Sequence, residues 1–258
     1  MAVVVTRIGG PTVLIEVQGW RIIVDPTFDD SGRRYDFGLG TSSIKTAGPA
    51  IPVSEIGRID LALVSHDHHA DNLDDAGRGL LSRVEHVVTT VPGARRLGED
   101  RVKGLRSGQS VVLELPGRPS LEVTATPARH GPALSRSLVG HVIGSLVRVG
   151  GDNVWVTGDT VWYRSLRRFA RKLTVDVAIV NAGGVQFPQT GPIRYTMRGP
   201  DAVRLIAATA ARVAIPAHYE GWSHFRDGEE GFVRAVADAP AAVRDSVRFL
   251  PLGVPTEV

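Results

Sequence analysis

Three histidines fall within four positions of one another in Val64-Ser65-His66-Asp67-His68-His69-Ala70-Asp71-Asn72-Leu73-Asp74, and aspartates alternate with them or follow them. Neutral imidazole and carboxylate are the ligands that zinc, manganese and iron take from proteins. Buried without a metal, each ring nitrogen and each carboxylate would need its own hydrogen-bond partner. For a single histidine, a solvated loop residue is the plainer explanation. For His66, His68, His69 and Asp71 taken together, the reading is a metal site.

Other residues of ligand type recur in a shared setting. Ile59 to Val64, the run before the cluster, is apolar and of strand length. His130 ends Pro127-Ala128-Arg129-His130 after the strand expected at 120–126. Asp159 lies between Gly158 and Thr160 after a strand at 154–157. His218 follows Pro216-Ala217 after a short strand at 213–215. Strand ends on one rim are rigid positions from which distant residues can converge on an ion. Taken singly, His130 could be a surface loop residue and Asp159 a helix cap. Their common placement argues for convergence.

These positions need a scaffold of strands. Val3 to Ile8 reads as a first strand, and 12–17 with 21–24 as a hairpin around Gln18-Gly19. Residues 29–54 show no sustained period and read as a long loop, of the kind that often walls a pocket. A helix is expected over 73–83, capped by Asn72 or Asp71. A strand follows at 86–90, then a short helix opened by Pro92. Further strands are expected at 110–115, 120–126, 142–149, 154–157, 175–180, 213–215 and 247–250. Helices are expected at 162–172, 200–210 and 228–237, and a loop at 185–198. No linker separates two cores, and no repeat is visible. Residues 1–258 therefore read as one domain with two sheets and helices outside them.

Composition narrows the partners. Hydrophobic residues make up 43% and charged residues 22% of the 258 positions, so a core of ordinary size is available. Thirty Lys and Arg against 27 Asp and Glu leave a formal net charge of only +3. With no basic run, nucleic acid is not the expected partner, and a small-molecule substrate is. The chain has no cysteine, which excludes disulfides, cysteine-held zinc and thiol nucleophiles. No apolar run approaches the ~18 residues of a membrane span, and Met1 to Arg7 carry no signal pattern, so a cytoplasmic protein is expected. A homo-oligomer is compatible with all of this.

The chain resembles the metallo-β-lactamase fold superfamily of metal-dependent hydrolases, nearest to its lactonase-like and phospholipase D-like branch. The resemblance rests on Thr12-Val13-Leu14-Ile15-Glu16, Ile23-Val24-Asp25-Pro26, the histidine cluster, Thr126-Pro127-Ala128-Arg129-His130-Gly131, Thr157-Gly158-Asp159-Thr160 and His218. It implies a four-layer αββα sandwich with a binuclear metal site at one edge of the sheets. Two divalent ions are implied, zinc first, with manganese or iron as alternatives. The family pattern is His-any-His-any-Asp-His, and this chain departs from it in either register. The resemblance then places one ion on His66, on His68 or His69, and on His130. It places the second on Asp71 and His218, with Asp159 bridging. Asn72, standing where the family has histidine, leaves the second ion short of a nitrogen and favours an oxygen-preferring metal such as manganese.

The implied chemistry is hydrolysis of an ester, lactone or phosphodiester bond by water made acidic at neutral pH. Asp71 would orient that water or carry its proton. His224 would donate to the leaving group or hold a phosphate, or else simply pack with Trp222 and Phe225. Tyr219 and Trp222 are candidate pocket walls, whereas His86 and His141 are given no role. A nuclease of the same fold, or a metal-poor relative that only binds a ligand, are the alternatives.

Overall fold

A computed structural model of the chain describes residues 3–38 and 40–258. Met1, Ala2 and Leu39 lie outside the described residues, the first two in the stretch read for a signal and the last inside the segment expected as a loop.

The chain opens with β1 (Val4–Gly9), β2 (Thr12–Val17) and β3 (Trp20–Val24), antiparallel and joined by tight turns. Alternate side chains of a strand face opposite sides of its sheet. Ile22 accordingly enters the main core between the sheets, and Ile23 enters a separate cluster with Leu80 and Leu81. Next comes a two-stranded hairpin, β4 (Arg34–Gly38) and β5 (Thr41–Ile44), outside both large sheets. This corrects the expectation of a structureless loop over 29–54. The hairpin is too polar to show an apolar period: in β4 only Tyr35 is buried.

The first sheet continues in parallel with β6 (Leu61–Leu63), helix α1 (Asp75–Leu81), β7 (His86–Thr90), α2 (Val91–Leu97) and β8 (Val102–Leu105). The second sheet is built from β9 (Ser110–Leu113), β10 (Leu121–Thr126), the single turn α3 (Arg136–Val139), β11 (Gly144–Val149), β12 (Asp152–Val156), α4 (Arg164–Ala170), β13 (Val177–Asn181), α5 (Gly199–Thr209) and β14 (Val213–Ala217). Helices α6 (Gly228–Ala237) and α7 (Ala241–Ser246) follow, and β15 (Thr256–Glu257) returns to pair with β1. The strand orders are β15-β1-β2-β3-β6-β7-β8 and β14-β13-β12-β11-β10-β9. The expected final strand at 247–250 is corrected. Val247 makes only an isolated bridge to Ala214, and the residues before it form α7.

Between the sheets, Val5, Ile15, Ile22 and Leu63 meet Val147, Val154, Val156 and Ile179. Trp155, flanked by Val154 and Val156 in sequence, faces the other way, onto Leu166, Leu205 and Phe232 from α4, α5 and α6. The layers are therefore helix, sheet, sheet, helix, the αββα sandwich. Strands β10 and β12 are both antiparallel to β11, and β13 and β14 are parallel to β12. Four strands of the second sheet thus end on one rim, and within about four residues of those ends come His130, Asp159, Ala182 and His218.

Candidate metal centre

The loop that carries the cluster is pinned from below and from its far end. Below it lies Asp25, fully buried just past β3, in a left-handed conformation at φ 38°. The Ser65 amide donates to its Oδ1 at 2.6 Å, and Asn72 Nδ2 donates to its Oδ2 at 3.2 Å. Burial pushes the Asp25 carboxyl up to about 7, although those donors pull the other way. At the far end, Asp74 caps α1 by accepting from the Gly77 amide at 2.9 Å. This corrects the expectation that Asn72 or Asp71 is the cap. Asp74 also accepts from the Phe28 and Asp29 amides and from buried Lys45 Nζ at 2.9 Å. Asp67 is turned toward Arg96 and takes no part in the cluster's convergence.

Four of the histidines set one ring nitrogen against the surrounding protein. His66 Nδ1 lies 2.9 Å from Ser65 Oγ. His68 Nε2 lies 2.5 Å from the Val139 carbonyl, and its Nδ1 is buried without a partner. His130 Nδ1 lies 2.8 Å from the Tyr195 carbonyl. His218 Nδ1 lies 2.8 Å from Asp159 Oδ1. A metal-ligating histidine characteristically gives its second ring N–H to a carbonyl or carboxylate in this way, which fixes the ring and frees the other nitrogen. Close approach of the α3 turn to His68 needs Gly140: at φ 78°, a Cβ there would fall 2.2 Å from the imidazole. His69 differs, because its Nδ1 lies 3.2 Å from His66 Nε2.

Three groups bring their ligand atoms within 4.8 Å of one another: His66 with His68 and His69; His66 with His130 and Asp159; and Asp71 with Asp159 and His218. Asp159 is common to the last two. His224 Nδ1 lies 2.5 Å from Ser43 Oγ, and its Nε2 lies 3.1 Å from Asp71 Oδ2 without hydrogen-bond alignment. The structure thus brings His66, His68, His69, Asp71, His130, Asp159, His218 and His224 to one place. Sequence reasoning missed Asn181, whose Nδ2 donates to Asp159 Oδ1 at 2.9 Å. It had the same signal as the others, a polar residue where β13 ends, but an amide is seldom a first suspect.

The charges in the site favour a cation. Six of the fourteen buried side-chain atoms without a partner, among the described residues, belong here: His68 Nδ1, Asp71 Oδ1, Asn72 Oδ1, Asp159 Oδ2, His218 Nε2 and His224 Nε2. Orphaned buried polar atoms are rare, and an ion is one of their ordinary explanations. Burial, reinforced by their mutual repulsion, holds His66, His68 and His69 below the usual histidine range, so they are neutral at pH 7, as ligands must be. Burial works against the charged forms of Asp71 and Asp159, yet the neighbouring histidines keep both carboxyls ionised. Burial likewise opposes charge on His218, but Asp159 raises it to about 9. The protein atoms alone therefore draw a proton onto His218, where a divalent ion would take the proton's place. The nitrogen and oxygen donor set suits zinc, manganese or iron.

A cavity of ≈ 30 Å³ opens onto the cluster, bounded by Phe37 and Thr41 of the β4–β5 hairpin, Val139, and Val185, Phe187 and Tyr195 of the 185–198 segment. Phe37 lies 5.4 Å from the His69 ring and 5.5 Å from that of His224. Trp222 packs 6.0 Å from His224. Tyr219 does not join this wall: it stacks on Phe232 in the core, with Arg7 4.6 Å over its ring. Among the described residues no helix is long and apolar enough to cross a membrane.

The fold and this constellation together define a metallo-β-lactamase type of protein. The sequence model of the beta-lactamase superfamily domain matches residues 20–219, and the chain belongs to that superfamily. The chain is 27% identical to a metal-dependent hydrolase from Carboxydothermus hydrogenoformans, over 84% of this chain and 85% of that one. Its fold superposes on the isothiocyanate hydrolase from Delia radicum gut bacteria with a TM-score of 0.79, at 16% identity over 99% of both chains. A possible metal-dependent hydrolase from Veillonella parvula gives a TM-score of 0.80, at 16% identity over the whole of both chains.

Proposed function

We propose that the chain is a metal-dependent hydrolase, acting as one domain, that cleaves an ester, lactone or phosphodiester bond of a small molecule. The observation that carries this reading is the pair of buried ligand groups that share Asp159, with Asp71 Oδ1, Asp159 Oδ2 and His218 Nε2 left unsatisfied. In this reading His66 and His130, with His68 or His69, would hold one ion, Asp71 and His218 would hold the other, and Asp159 would serve both. Ions bound there would supply Lewis acidity and water that is acidic at neutral pH. Asn181 holds the Asp159 carboxylate in place. Asp71, beside His224, is set to receive a proton from the attacking water, and His224 to pass one to the leaving group. Phe37, Phe187 and Tyr195 exclude bulk water and favour a substrate with an apolar body.

The test combines elemental analysis with a panel of ester, lactone and phosphodiester substrates. Wild type should carry close to two ions per chain and turn over one of these classes, and activity should vanish on chelation. Asp159→Ala should lose both ions and all turnover. Full metal content in that variant would sink the bridging role.

A further inference from the structure

A second and larger concavity lies behind the metal centre and takes no part in the reading above. Its volume is ≈ 730 Å³, against ≈ 30 Å³ for the cavity at the histidines. Arg95, Arg106, Arg136 and His141 line it, with Ser107 and Tyr163, and no aspartate or glutamate does. Arg129 adds a further guanidinium, 4.4 Å over the Tyr163 ring, and its Nε is buried with no partner. Among the described residues, none of Arg95, Arg106, Arg129 and Arg136 has a carboxylate within ion-pair distance, whereas their neighbour Arg96 is paired with Asp67. The three guanidinium groups of the lining, with that of Arg129 beside Tyr163, repel one another unless an anion lies between them. Guanidinium is also the side chain best shaped to bind phosphate or carboxylate by two parallel hydrogen bonds. The rest of the lining, Pro92 and Leu105 included, is largely apolar.

The segment 136–142 is the partition between the two cavities. Val139 lines the smaller one and holds His68 through its carbonyl, while Arg136 and His141 line the larger. We propose that this groove binds the phosphate or phosphonate group of a small molecule with an apolar body, at a site separate from the metal centre. The inference does not depend on the ions: it rests on the arginines, and it would stand if the hydrolase reading failed.

The probe is phenylphosphonate, which is not hydrolysed, titrated calorimetrically into the metal-loaded protein. Benzyl alcohol serves as the uncharged control. Binding is expected for phenylphosphonate and not for benzyl alcohol. Arg95→Ala combined with Arg136→Ala should weaken it by about tenfold or more, since each guanidinium–anion bond is charge-assisted. Both residues are exposed and outside any ion pair, so the fold should persist. Replacing the same two by lysine should recover part of the affinity, which a merely structural loss would not do. Asp159→Asn, altered only at the metal centre, should bind phenylphosphonate as wild type does. Loss in Asp159→Asn with retention in the arginine variants would assign the anion to the metal centre and overturn the proposal. Absence of binding at millimolar phenylphosphonate would overturn it as well. Tighter, steeply salt-dependent binding of a single-stranded oligonucleotide would overturn it in favour of a polynucleotide surface.

Discussion

His68 and His69 are neighbours in sequence but are held in different ways. His68 gives one nitrogen to the Val139 carbonyl and leaves the other buried and unpartnered, whereas His69 Nδ1 faces His66. If His68 is the ligand, His68→Ala should cost one ion per chain by elemental analysis, and His69→Ala should keep both. The reverse pattern would hand the role to His69. The sequence could not separate the two, because side-chain direction in a loop follows no period. It did reveal the cluster, since three imidazoles and a carboxylate in one loop have few other uses. Asp25 was less legible, being one carboxylate at one strand end. Its raised pKa has a consequence that can be measured. An aspartate whose folded pKa lies above its unfolded value adds most stability at low pH and loses it as pH rises through the folded value, here about 7. Asp25→Asn cannot ionise. In chemical denaturation, wild type should therefore lose stability relative to Asp25→Asn between pH 5 and 8, by roughly 2–3 kcal/mol at about 1.4 kcal/mol per pKa unit. A constant difference across that range would show that the Asp25 carboxyl titrates normally.

At the scale of elements, one side chain ties the hairpin to the loop it covers. Asp74 joins the start of α1, the chain after β3 and Lys45 just past β5. Removing one member of a buried ion pair leaves the other charge uncompensated. Asp74→Ala should accordingly cost about 3–5 kcal/mol in urea denaturation, and a loss below about 1 kcal/mol would mean that water replaces the carboxylate. Most strands of the main sheets were legible because their apolar residues alternate, or run unbroken where both faces are covered, as in β13 and β14. The edge strands β8 and β15 were not expected, since only Leu105 is buried between them. The β4–β5 hairpin was not, since it packs mainly by single aromatic residues such as Tyr35 and Phe37. The helix α7 was hidden for another reason: six residues with two buried, Val243 and Ser246, leave no period to read.

For the whole molecule, the candidate ligands come from both halves of the sandwich. His66 to Asp71 follow a strand of the first sheet, and His130, Asp159 and His218 follow strands of the second. Ions held between them would favour the native state by mass action, by about 3–4 kcal/mol at 100 to 1,000 times the dissociation constant. Chelation should then lower Tm by about 5–15 °C for a chain of this size, given shifts of roughly 2–4 °C per kcal/mol. Calorimetry with and without chelator measures it directly, and an unchanged Tm would argue against bound ions. The pairing of two layers was legible from the order of strands and helices. The partition at 136–142 was not, because nothing in Arg136 to Val142 marks it as a wall between two cavities.

The position of His218 has a consequence for biogenesis. The chain is made from its amino terminus, and His218 is the last candidate ligand to leave the ribosome, 59 residues after Asp159. A nascent chain that has folded through α4 already displays the histidine cluster, His130 and Asp159, but has no partner for Asp159 on its far side. In the two-ion reading, durable capture of the second ion would therefore have to wait until β14 has emerged and brought His218 to Asp159, so loading of the centre would follow synthesis of the second sheet.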